Sequence, residues 1–176
     1  MARSLSASQA IVYGGVTVGA LDLADAGVFF YFRSGATPVA ILHSIASGWV
    51  GPAVARDGGM TTAALGFVSH FLIAFIIVTI YFAASRVIPV LRTRPVVCGL
   101  AYGALAYFVM TYGVVPMSQA RSGGPFVLPV FLNGLLIHVF GVGLPSAWFA
   151  SAATRTQPLK PVAPEARGPR SPQPEA

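Results

Sequence analysis

Charge is what this sequence has least of. Only 9% of its 176 residues are Asp, Glu, Lys or Arg, against about 25% in an ordinary soluble domain. With 55% hydrophobic residues and a mean hydropathy of +0.73, that excludes both a soluble globular domain and a disordered chain. Acids are scarcest: five, against eleven bases, for a net charge of +6. The bases sit in loops and tails and leave the apolar middle bare, so a basic nucleic-acid face is excluded and no nucleic-acid partner is expected. The single cysteine, Cys98, rules out an internal disulfide. The sequence has no G-x-S-x-G, phosphate loop, H-E-x-x-H or cysteine pair, and we expect no enzymatic activity.

What is present is long apolar runs. Residues 58–85, 96–120 and 122–154 carry no charged side chain, and each run exceeds the ~20 residues that a helix needs to cross a bilayer. A fourth stretch, about 9–32, is interrupted only by Asp22 and Asp25. Continuous rather than alternating apolarity favours helices over a barrel. The expected fold is an all-α integral membrane protein whose domain, residues 1–153, has spans near 9–32, 61–85, 96–116 and 127–152. Arg3, an apolar run and Ala24-Asp25-Ala26 have the outline of a cleavable signal peptide. The run continues to Phe32, however, and Asp22 suits a signal core poorly, so we expect a retained helix.

Between the first two spans, Thr37-Pro38 reads as a helix start, Thr as N-cap and Pro in the first position. Ile41, Ile45 and Trp49 recur every four residues, and Gly48, Gly51 and Pro52 end the pattern. This stretch, about 37–51, is too short to span and predicts an interfacial or re-entrant helix capping the bundle. His43, Ser44 and Ser47 form a candidate nucleophile set, read here as a solvated face. Asp57-Gly58-Gly59 predicts a turn. Residues 154–176 hold six of the fourteen prolines and predict a disordered cytoplasmic tail. Arg3, Arg86, Arg92, Arg94 and the four tail bases fall on one side of a four-span topology. Arg33, Arg56 and Arg121 fall on the other, so both termini should be cytoplasmic.

Small residues recur at three- and four-residue spacing: Gly15 and Gly19; Ala63 and Gly66; Gly99, Gly103, Ala106 and Gly113; Gly134 and Gly141. Such stripes let helix backbones approach in lipid. Three of them carry a polar residue in phase: Asp22, His70 and His138. Pro145 predicts a kink in the last span.

Counted from the helix ends, Asp22, Asp25, His70, His138, Tyr107 and Asn133 fall at one depth and form a candidate layer. An ionisable group in a span is costly and normally finds a partner or water. Burial disfavours the charged form of either group unless the two pair. The layer therefore reads as a polar pin fixing helix register, as a path for protons or a cation, or as a metal site. An alternative is an electron carrier holding haem b between His70 and His138; the leading expectation is no cofactor. Cys98 is read as a packing residue. Expected partners are the lipid bilayer, with a second copy or a membrane subunit as further candidates. A non-catalytic scaffold or accessory subunit is the remaining functional alternative.

Four segments carry a resemblance. They are Pro38 to Gly48 (PVAILHSIASG), Ala64 to Phe75 (ALGFVSHFLIAF) ahead of Tyr81 and a Pro/Arg loop, Gly99 to Gly103 (GLAYG), and Leu136 to Pro145 (LIHVFGVGLP). Over residues 10–153 the chain resembles a group of small uncharacterised bacterial inner-membrane proteins with four helices. It is more distantly similar to the inner-membrane family linked to acid resistance, which has a His in its second helix and a Gly-His in its fourth. Here that position reads Ile137-His138, with Gly134 earlier. The resemblance implies a bacterial cytoplasmic membrane and no particular activity.

Overall fold

The computed structural model describes residues 5–120 and 125–153, and these fold into helices without strands. The expectation for the tail at 154–176 lies outside the described residues, as do Arg3 and Arg121. Four helices are long and apolar enough to cross a membrane: α1 (Ala7–Ser34), α4 (Gly59–Val87), α6 (Pro95–Met117) and α7 (Leu128–Ala152). Between α1 and α4 lie α2 (Pro38–Val50) and α3 (Pro52–Asp57), and α5 (Val90–Thr93) joins α4 to α6.

Local signals start these helices. Ser6 and Gln9 form a reciprocal capping box at α1, which satisfies two of the free N–H groups at a helix start. Thr37 caps α2 through the Ala40 N–H at 3.2 Å, and Pro38 opens the first turn. After Gly51 the six residues of α3 run up to Asp57, so the expected turn shrinks to Gly58.

The long helices pack antiparallel in the order α4, α1, α7, α6. The α1 stripe receives aromatic side chains from α4: Phe71 lies over Gly19 and Phe75 over Gly15. Val18, Ala74, Val78 and Val142 close a small core where α1, α4 and α7 meet. On α6, Gly99 and Gly103 lie against the backbone of α7 between His138 and Gly143. A Cβ on Gly103 would collide with the His138 carbonyl, and one on Gly143 with the Gly99 carbonyl.

Two of the helices contain π turns, at Met110–Val114 in α6 and at His138–Gly143 in α7. Each is followed by a proline, Pro116 and Pro145. A proline has no N–H for the carbonyl four residues back and clashes with it. A wider turn just before it relieves both problems. The kink expected at Pro145 thus takes the form of a π turn on its N-terminal side.

The stripes divide rather than all facing one centre. Gly66 turns toward α2, where its Cα lies against the Leu42 backbone, and a Cβ there would collide with the Leu42 carbonyl. Gly113 has nothing within 4 Å of its Cβ position, so no neighbouring helix requires a glycine there.

The first and last helices of this order, α4 and α6, meet at only one end. Near α5, the Tyr102 hydroxyl donates to the Ile77 carbonyl at 2.7 Å, and Tyr81, 1% exposed, donates to the Leu91 carbonyl at 2.9 Å. The two rings meet edge-on at 5.0 Å. Around them pack Ala147, Ala150, Leu91 and Cys98, so Cys98 is a packing residue whose thiol points to the Val90 carbonyl. Toward the other end, α4 and α6 separate.

Candidate functional site

The separation of α4 and α6 leaves a cleft of about 1610 Å³. Its walls are apolar, with Ile73 and Ile77 from α4 and Met110 and Val114 from α6. Helix α2 roofs it. Trp49 is the clasp: its indole N–H donates to Ser69 Oγ on α4 at 2.9 Å, and its carbonyl accepts from the Gln119 side chain beyond α6 at 2.6 Å. The Gln119 N–H also donates to the Gly48 carbonyl at 2.9 Å. His43 is tied to the Gly59 carbonyl at the start of α4 at 2.8 Å, and the Ser47 hydroxyl donates to the Ser44 carbonyl. Ser47 is buried, so it leaves the solvated face expected for this set, while His43 is half-buried and Ser44 is exposed.

Because Ser69 also donates to the Leu65 carbonyl, removing the indole N–H strands no buried donor. We therefore expect Trp49→Phe to cost about 0.6–1 kcal/mol. A double-mutant cycle with Ser69→Ala should recover that coupling in unfolding measurements. Strict additivity would show that the contact does not hold the roof.

Deep in the cleft, Asp22, His70 and His138 converge. His70 stands eleven residues into α4, His138 ten into α7, and Asp22 twelve before the end of α1. At 1.5 Å per residue these are all roughly 15–18 Å deep. Asp22 offers one carboxylate oxygen to each ring, at 4.0 Å from His70 Nε2 and 3.7 Å from His138 Nδ1. These are ion-pair separations, longer than direct hydrogen bonds. The same two nitrogens make closer bonds to backbone, His70 Nε2 to the Gly19 carbonyl and His138 Nδ1 to the Gly134 carbonyl, both at 2.9 Å.

Those carbonyls fix the tautomers. A carbonyl oxygen only accepts, so each of these nitrogens carries its proton. A second proton would add at His70 Nδ1 or His138 Nε2. Among the described residues no buried side-chain nitrogen or oxygen lacks a partner, so neither position is sealed off, and both rings line the cleft. Side-chain exposures of 25% for Asp22, 13% for His70 and 17% for His138 agree with a site that is recessed but reachable.

The lone pairs that could take a proton or a metal are those of His70 Nδ1 and His138 Nε2, the nitrogens not bonded to backbone carbonyls. Both nitrogens facing the carboxylate are N–H groups, and a metal needs lone pairs. Among the described residues, no three His, Cys, Asp or Glu side chains converge in a metal-holding arrangement. The haem alternative would use the same two nitrogens, His70 Nδ1 and His138 Nε2, with the Asp22 carboxylate within 4.0 Å of both rings.

The remaining candidates separate. Tyr107 enters the cluster through its ring, edge-on to His138 at 5.5 Å and packed over Gly134. Asp25 and Asn133 leave it. The Asn133 amide donates to Asp25 Oδ2 at 2.6 Å, and the two share a groove of about 500 Å³ with Phe29, Phe32 and Arg33. The single expected layer is two clusters with different openings. The roof contacts of Trp49 with Ser69 and Gln119 were not anticipated. Trp49 stands out as the last residue of the Ile41, Ile45 series, but nothing in the sequence marks Gln119.

No family model, curated protein or solved structure matches the chain. Its class therefore rests on its architecture: among the described residues, a helical fold without strands and with four helices long and apolar enough to span a membrane.

Proposed function

We propose that this chain is a multi-pass protein of the bacterial cytoplasmic membrane, with both termini cytoplasmic, that takes protons from the α2 side into the Asp22–His70–His138 cluster. Four apolar helices support the membrane assignment, and the excess of bases on the side of the termini supports the orientation. The resemblance to small four-helix inner-membrane proteins points the same way. The observation that carries the proton reading is one carboxylate within ion-pair reach of two imidazoles at the bottom of a cleft. Mixed Asp/His sets at depth in a membrane are suited to relaying protons. On this reading a proton adds to the open nitrogen of either ring, and Asp22 balances the charge that results. The Tyr81–Tyr102 contact closes the α5 side.

The test is proton uptake into vesicles carrying the purified protein, driven by an imposed potential and read by a trapped pH dye. Uptake should exceed that of protein-free vesicles and should depend on Asp22. Equal uptake by wild type and Asp22→Asn would leave the cluster as a pin for helix register.

A further inference from the structure

A cleft of about 1610 Å³ is far larger than a proton site requires, and exceeds the roughly 300–1,000 Å³ of ordinary small-molecule pockets. Its walls are apolar and its roof carries hydroxyls. Two side chains of fixed charge line it, Asp22 at depth and Arg56 on α3. Arg56 is exposed, so its charge is spent largely on water. Asp22 is three-quarters covered, so its charge acts through a medium that screens it poorly.

From this asymmetry we propose that the cleft binds an amphipathic organic monocation, its apolar body against Ile73, Ile77, Met110 and Val114 and its charge at Asp22, in competition with protons. The inference rests on the proton reading of the same cluster. The groups facing Asp22 decide its sign. His70 approaches from α4 and His138 from α7, with the Tyr107 ring of α6 behind His138. On α1 itself, Asp25 is turned away to Asn133. From the roof, His43 is tied to the Gly59 carbonyl and Arg56 stands outermost. With both rings neutral the cluster is an uncompensated anion and attracts a cation. Adding a proton to either ring cancels that charge and expels the cation. Binding a cation must then release a proton, by linkage.

The experiment uses two probes of one shape and opposite charge, tetraphenylphosphonium and tetraphenylborate. Each is measured by equilibrium dialysis against the full chain in detergent, with protein-free micelles subtracted. We expect the phosphonium to bind at pH 8, to bind roughly tenfold more weakly at pH 5, and to acidify a weakly buffered solution as it binds. The borate should not bind above the micelle background, and Asp22→Asn should lose the phosphonium site. If that variant does not fold, proton release and the comparison of the two probes in wild type decide the matter alone. Equal binding of both probes, binding without pH dependence or proton release, or no phosphonium binding at pH 8 overturns the proposal. Asp22-dependent proton uptake in probe-free vesicles, together with absent phosphonium binding, defeats this inference and leaves the proton reading standing. Phosphonium binding with proton release but no uptake in vesicles removes the relay and keeps the binding site.

Discussion

Gly103→Val should abolish the folded bundle, while Gly113→Ala should leave it intact. Both glycines lie on α6 ten residues apart, and both belong to the small-residue series visible in the sequence. At Gly103 an added Cβ meets the His138 carbonyl and the Val139 Cα, which are backbone atoms that no rotamer change can move. The π turn of α7 is pressed onto α6 at this point, with Gly143 set against Gly99 in the same interface. Separating two backbones forfeits the close packing that holds helices together in lipid, and overpacking alone costs about 1–3 kcal/mol or more. A destabilisation of about 3 kcal/mol or more is therefore expected, seen as loss of a monodisperse species in detergent and of a cooperative thermal transition. At Gly113 the space is empty, and Ala is the better helix former by about 0.5–1 kcal/mol. Equal behaviour of the two variants would mean that the α6–α7 contact is not the one described.

The contrast between these glycines shows what the sequence makes legible. Span positions were readable because charge-free runs and a Thr-Pro start are local signals, and helix ends depend mostly on local chemistry. Which stripe faces which helix was not. A stripe analysis assumes an unbroken 3.6-residue period, and that period is broken in the π turn at Met110–Val114, which contains Gly113. Gly113, in phase with Ala106 on paper, is carried off the interface. Gly66 fails for another reason: a helix packed on two sides has two close-packed faces, and no periodicity says that α2 takes one of them. The cluster was partly legible. Asp22, His70 and His138 share a depth because depth follows from counting residues. The departure of Asp25 and Asn133 depends on rotation about α1, which counting does not give.

That rotation yields the sharpest functional expectation. Asp22 and Asp25 are three residues apart, about 60° around a helix, and α1 is wedged between α4 and α7. The small angle is enough to turn one carboxylate into the cleft toward His70 and His138 and the other toward Asn133 and the outer groove. Asp22→Asn should therefore bring proton uptake down to that of protein-free vesicles. The side chain keeps its shape, but the charge that balances a protonated imidazole is gone. Both rings keep their bonds to Gly19 and Gly134, so the helices should still assemble, as gel filtration and helical circular dichroism can verify. Asp25→Asn loses a charge-assisted bond to Asn133, a change in stability of about 1–2 kcal/mol, and keeps uptake near wild type. A sequence-level layer in which both acids act together requires the two variants to fail alike. The structure requires them to differ, because the second carboxylate has neither an imidazole partner nor access to the cleft. Comparable loss in both would return Asp25 to the relay and would mean that the two openings are one.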